Sequence, residues 1–150
     1  MEGLKEQIIN QLISILDEKL SHLNNHSKDL NDALSSETKS TAGDKHDTSR
    51  AMVHLEQEKV QHQFSSLQHQ RYQLLSYLNS IPSDEVVAGS LIQTEHNTFL
   101  VGIGLGKQHL NGSIIYCIGA ETPLAHQLLR KKVSDEFFFN GGMERIVGIW

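Results

Sequence analysis

Helix breakers are almost absent from the first half of this chain, and that absence limits its fold more than any other feature. Of the 11 glycines and 2 prolines, only Gly3 and Gly43 precede Ile81. A stretch so depleted, and rich in Leu, Gln, Glu and Lys, predicts long helices. The apolar residues recur at the matching period. Ile9, Leu16, Leu23 and Leu30 are spaced by seven, with Leu12, Leu20, Ala33 and Leu34 widening the stripe. Val53, Val60, Leu67, Leu74 and Ile81 repeat the spacing, accompanied by Phe64 and Leu78. Sustained heptads mark a coiled-coil seam. The small polar run from Ser35 to Gly43 between them suits a turn. The expected arrangement is an antiparallel hairpin of two helices over 1–81, each roughly 50 Å long at the α-helical rise. Pairing of the same seams with a second copy of the chain is the alternative.

After Pro82 the pattern changes to period two. Val86 to Thr94, Thr98 to Leu105 and Ser113 to Gly119 read as strands, and Asn111-Gly112 between two of these runs signals a hairpin turn. Thr122-Pro123 opens a short helix, with a hydroxyl to cap it and proline at its first position. Glu136 to Phe139 and Arg145 to Ile149 read as two further strands joined through Asn140-Gly141-Gly142. The fold class is therefore α+β: a helical hairpin followed over 82–150 by a small β-rich domain with one short helix.

Composition removes several functions. The net charge of -5 argues against independent binding to duplex DNA, which needs clustered cations. Cys117 is the single cysteine, which excludes an internal disulfide and a thiolate metal cage and suits the cytoplasm. Asn10, Gln11 and Ser14 interrupt the N-terminal apolar residues, so no signal-peptide core is expected, and no segment is apolar enough to cross a membrane.

Three features together resemble the bacterial Gre family of transcription elongation and transcript cleavage factors. The order of parts is that of the family, a coiled-coil hairpin and then an FKBP-like domain. Thr122-Pro123-Leu124-Ala125, followed by Leu128-Leu129, Lys131 and Asp135, is similar to its C-terminal segment. Gly43-Asp44-Lys45-His46-Asp47 is similar to its tip, and Glu56-Gln57 falls where the family has Glu-Gln.

The resemblance implies a partner, RNA polymerase, and an accessory role instead of an independent enzyme activity. The hairpin would enter the secondary channel, and the RNA 3′ end would be met only inside that complex. Asp44 and Asp47 would share the polymerase's Mg²⁺ and help it cleave backtracked RNA, with Glu37 a further acid. The protein itself would carry no cofactor and no metal. The chemistry suits carboxylates, because Mg²⁺ prefers oxygen ligands and a second metal activates the attacking water. Thr122, Pro123, Leu124, Ala125 and Leu128 would contribute to docking on the polymerase exterior.

This chain departs from the family pattern at the tip. Asp47 stands where the family has Glu, shortening the reach by one methylene. Ala51, Met52 and Val53 replace the aromatic and basic residues that typically follow. Up to Ile81 the chain carries 8 Lys and Arg against 11 Asp and Glu, with no basic stripe for RNA. A channel-binding regulator without cleavage activity and a coiled-coil oligomerisation scaffold both remain open, as does the oligomeric state.

Other residues read more simply. Asp44 and Asp47 also fit acids at a helix start, where they complement the dipole. His22 and His26 have the spacing of a helical metal pair but no third ligand beside them. His54, His62 and His69 are too far apart along a helix to share an ion. Gly102 to Lys107 lacks the following helix that a phosphate cradle needs and reads as a strand end with a bulge. Cys117 reads as a small buried strand residue. Phe137 to Phe139 and Trp150 read as packing, any exposed part of which would form a docking patch.

Overall fold

The computed structural model describes the backbone of residues 2–37 and 43–150 and the side chains of 3–36 and 47–150. Two helices of 36 residues, α1 (Glu2–Glu37) and α2 (Gly43–Leu78), pack against each other, followed by a six-stranded sheet and a short helix. The chain divides into two compact units, Met1–Ile13 with Tyr72–Trp150 and Ser14–Arg71.

The 14–71 unit is antiparallel, because its cross-helix pairs run in opposite directions along the two helices. Asp17 receives Arg71 Nε at 2.7 Å, His26 Nε2 lies 3.3 Å from Glu56 Oε1, and Gln57 Nε2 donates to Asn31 Oδ1 at 2.7 Å. The heptads face inward, but among the described residues of this unit only Leu16 and Val60 are buried. Leu23, Leu30, Val53 and Leu67 are half-buried. Two helices share one seam and have no third layer to cover its flanks. The exposed polar pairs join the two helices at their surface and favour one alignment over its neighbours.

In the other unit Ile8, Ile9, Leu12, Ile13 and Leu74 are buried. The expected continuation of the heptad to Ile81 is corrected. α2 ends at Leu78, and Ser80 turns back onto the Tyr77 carbonyl through both its amide and its hydroxyl. Ile81 is therefore off the helix and 89% exposed.

The strands are β1 (Leu91–Thr94), β2 (Thr98–Val101), β3 (Gly106–Leu110), β4 (Ser113–Ile118), β5 (Glu136–Phe139) and β6 (Gly142–Ile149), with α3 (Pro123–Leu128) between β4 and β5. Their order across the sheet is β3-β4-β2-β1-β6-β5. The Asn111-Gly112 turn is present, with φ of 52° and 79°, as the tight hairpin geometry requires. It joins β4 to β3 and not to the run at 98–105, and β2 instead pairs β4 in parallel. Gly102, at φ 107°, ends β2 early, and the polar strand β3 begins at Gly106. The run from Val86 likewise becomes a strand only at Leu91, after a turn at Gly89 (φ 95°).

One face of the sheet packs on α3. Ile92, Phe99, Val101, Ile118, Phe137 and Ile146 join Ala125 and Leu128 in a buried cluster. Phe99 is its centre, with its ring 5.4 Å from Tyr116, 5.6 Å from Phe137 and 5.0 Å from Phe139. Strand alternation sends Leu91, Leu100 and Cys117 to the opposite face, where they too are buried. Tyr77 ties the end of α2 to this domain: its hydroxyl donates to the Gly102 carbonyl at 2.8 Å, and its ring lies against Gly89.

Candidate functional site

The sequence singles out the start of α2 and the start of α3. Gly43 and Asp44 begin α2, and Asp47 lies one turn further on, exposed to solvent. The side chains of Glu37, Asp44, Lys45 and His46 lie outside the described residues, as does the connection at 38–42. A carboxylate at this end of a helix is favoured by the unsatisfied N–H groups of the first turn.

At α3 the local chemistry is explicit. Thr122 is the N-cap: its hydroxyl accepts from Ala125 N at 3.2 Å and donates to the Gly119 carbonyl at 2.8 Å. Pro123 is exposed and Leu124 half-buried, whereas Ala125 and Leu128 are fully buried in the core. The segment therefore exposes Pro123, His126 and Gln127, and its two buried members pack α3 on the sheet.

Beside it, the outer face of the β5–β6 hairpin is apolar and open. Phe138 pairs directly with Met143, and the two are 55% and 58% exposed. Val147 lies further along on β6 and is also exposed. The Arg145–Glu136 ion pair, at 2.9 Å, interrupts the strip. Arg145 is held above its ordinary range by its bond to Glu136, by the charge of Glu136 and by Glu95. The triple phenylalanine is the sequence signal for this patch, and strand alternation decides that Phe138 is the outward member while Phe137 is core.

The remaining candidates resolve into structural roles. His22 and His62 line a groove on the hairpin with Lys19, Leu23 and Leu67, and His54 lines another with Ser27 and Gln57. Among the described residues no three His, Cys, Asp or Glu side chains converge as a metal site. Cys117 is buried in β4, and burial pushes its thiol up to about 12 from 9.0, the opposite of what a nucleophile needs. Glu144, on β6, is a feature that sequence reading missed. It is a buried acid whose Oε1 receives Asn97 Nδ2 at 2.5 Å.

No helix among the described residues is long and apolar enough to cross a membrane. Comparison of the chain with protein-family profiles, with curated proteins and with solved structures finds no match.

Proposed function

We propose that this protein is an RNA polymerase-binding elongation factor of the Gre type. Its hairpin would place the acidic start of α2 in the polymerase secondary channel, where it would promote cleavage of backtracked RNA by the polymerase's own metal site. The observation that carries the reading is the pair of 36-residue helices packed against each other, with Asp47 exposed in the first turns of the second, followed in the chain by a six-stranded sheet with a short helix. At the α-helical rise a helix of this length spans roughly 50 Å, a length suited to reaching into a deep channel. Exposed Asp47, and Asp44 three positions before it in the sequence, would supply the hard oxygen donors that Mg²⁺ prefers. Pro123, with Phe138 and Met143 nearby in the β-rich domain, offers the exposed docking surface.

The test is binding to bacterial RNA polymerase, with a photo-crosslinker at position 47. Crosslinks to the lining of the secondary channel support the reading; crosslinks confined to the polymerase exterior, or no binding, refute it. A second reading is favoured by the half-buried seam residues Leu23, Leu30, Val53 and Leu67 and by Met52, which is 66% exposed. These leave apolar surface that a second copy would cover in a coiled-coil scaffold. A stable dimer in solution that fails to bind polymerase selects that reading instead.

A further inference from the structure

We propose that a cavity beside Lys5 and Trp150 is a binding site for a small aromatic carboxylate. The cavity lies wholly within the unit formed by Met1–Ile13 and Tyr72–Trp150, and the proposal is independent of the hairpin tip. Its volume of about 580 Å³ is in the range of small-molecule sites. Lys5 and Glu6 line it from α1, Leu78 and Ser80 from the end of α2 and the turn after it, and Ile149 and Trp150 from the end of β6 and just beyond.

Lys5 supplies the charge. Its Nζ donates to Ser80 Oγ at 3.1 Å, while that hydroxyl gives its own proton to the Tyr77 carbonyl at 2.8 Å. An ammonium has three N–H donors, so this neutral partner leaves two for a ligand. The lysine is half-buried, burial lowers its pKa below the ordinary lysine value, and no acid among the described residues pairs with it. A partly desolvated cation without a counter-charge is stabilised by an anion that brings one. Trp150 supplies a flat wall. Its amide and carbonyl both pair with Leu91, at 2.9 and 2.7 Å, and its ring lies across Gly148, where a Cβ would stand 2.6 Å from Cζ3. The indole is fixed before a ligand arrives, so stacking a second ring on it costs little ordering. Leu78 and Ile149 extend the apolar wall. The single cation, with the Glu6 carboxylate lining the same cavity, matches one negative charge and repels a phosphate dianion.

Trp150 is the single tryptophan, so the full-length, ¹⁵N-labelled chain has one indole N–H signal and it reports on this cavity. Naphthalene-2-carboxylate is expected to shift that signal saturably. Naphthalene-2-methanol, the same ring without the charge, is expected to bind at least about tenfold more weakly, a comparison that needs no variant. Lys5→Met keeps an unbranched apolar stem and leaves the Ser80–Tyr77 bond in place. It is expected to weaken the carboxylate at least about tenfold, and Lys5→Arg to retain most of the binding, with the backbone amide spectrum showing that each variant keeps its fold. No saturable shift of the indole signal, equal responses to the alcohol and the carboxylate, binding unchanged in Lys5→Met, or tighter binding of 2-naphthyl phosphate than of the carboxylate overturns the proposal.

Discussion

Replacing Gly89 by alanine tests how the end of α2 is fastened to the β-rich domain. Gly89 has φ of 95°, a region in which a side chain costs about 1–2 kcal/mol. A Cβ built there would sit 2.5 Å from Tyr77 Cδ1 and 2.9 Å from Cγ, closer than such atoms approach. The tyrosine ring must move, and with it goes the 2.8 Å bond from its hydroxyl to the Gly102 carbonyl, about 1 kcal/mol. The ring has no easy refuge, because Gly102 is the other side of the same clamp: a Cβ there would meet the tyrosine oxygen at 2.8 Å. Gly89→Ala is therefore expected to cost about 2–4 kcal/mol, read as a lower urea midpoint with an unchanged slope. In a Tyr77→Ala background the collision is gone, and the same substitution should cost only the backbone part, about 1–2 kcal/mol. Equal costs in the two backgrounds would refute the steric coupling and leave Tyr77 a bystander.

Two further outcomes follow from the core. Phe99→Ala removes the ring that touches Tyr116, Phe137 and Phe139 at full burial, and should lower stability by about 3–5 kcal/mol in thermal or urea unfolding. Cys117 keeps its proton in the folded state to about pH 12, while the unfolded chain loses it near 9.0. Its contribution to stability is therefore complete below about pH 9 and lost as the pH rises toward 12, so the stability difference between wild type and Cys117→Ala should shrink across that window. In the native state below pH 9 the thiol should resist an aromatic disulfide reagent that labels it at once on unfolding.

Much of the architecture is legible in the residues, and the misses have physical causes. Heptad spacing and the lack of breakers suffice for two long helices, and Thr122-Pro123 marks the start of α3 because cap and first-turn chemistry are local. Local chemistry also explains the two tight turns at Asn111-Gly112 and Asn140-Gly141, where all four residues have positive φ. The end of α2 is harder to read, since Ile81 fits the heptad but the chain has already turned at Ser80. Strand β3, Gly-Lys-Gln-His-Leu, is an edge strand with mostly polar side chains, so it lacks the alternation that reveals a half-buried strand. Its omission hid the parallel pairing of β2 with β4, which depends on distant partners. The candidate docking segment is legible only in part, because helical spacing does not say which residues of α3 face the sheet. Glu144 left no trace in the pattern: a charged residue in a strand reads as outward-facing until Asn97 and His96 are brought to it by the fold.

Cleavage of backtracked RNA in a stalled complex of bacterial RNA polymerase tests whether Asp44 and Asp47 serve that reaction. The wild-type protein is expected to shorten the RNA, and the Asp44→Ala, Asp47→Ala double variant to lose the effect by a factor on the order of 100 while still binding polymerase. Equal cleavage by both proteins, or none with wild type bound to the polymerase, would contradict the claim that these carboxylates serve the cleavage reaction.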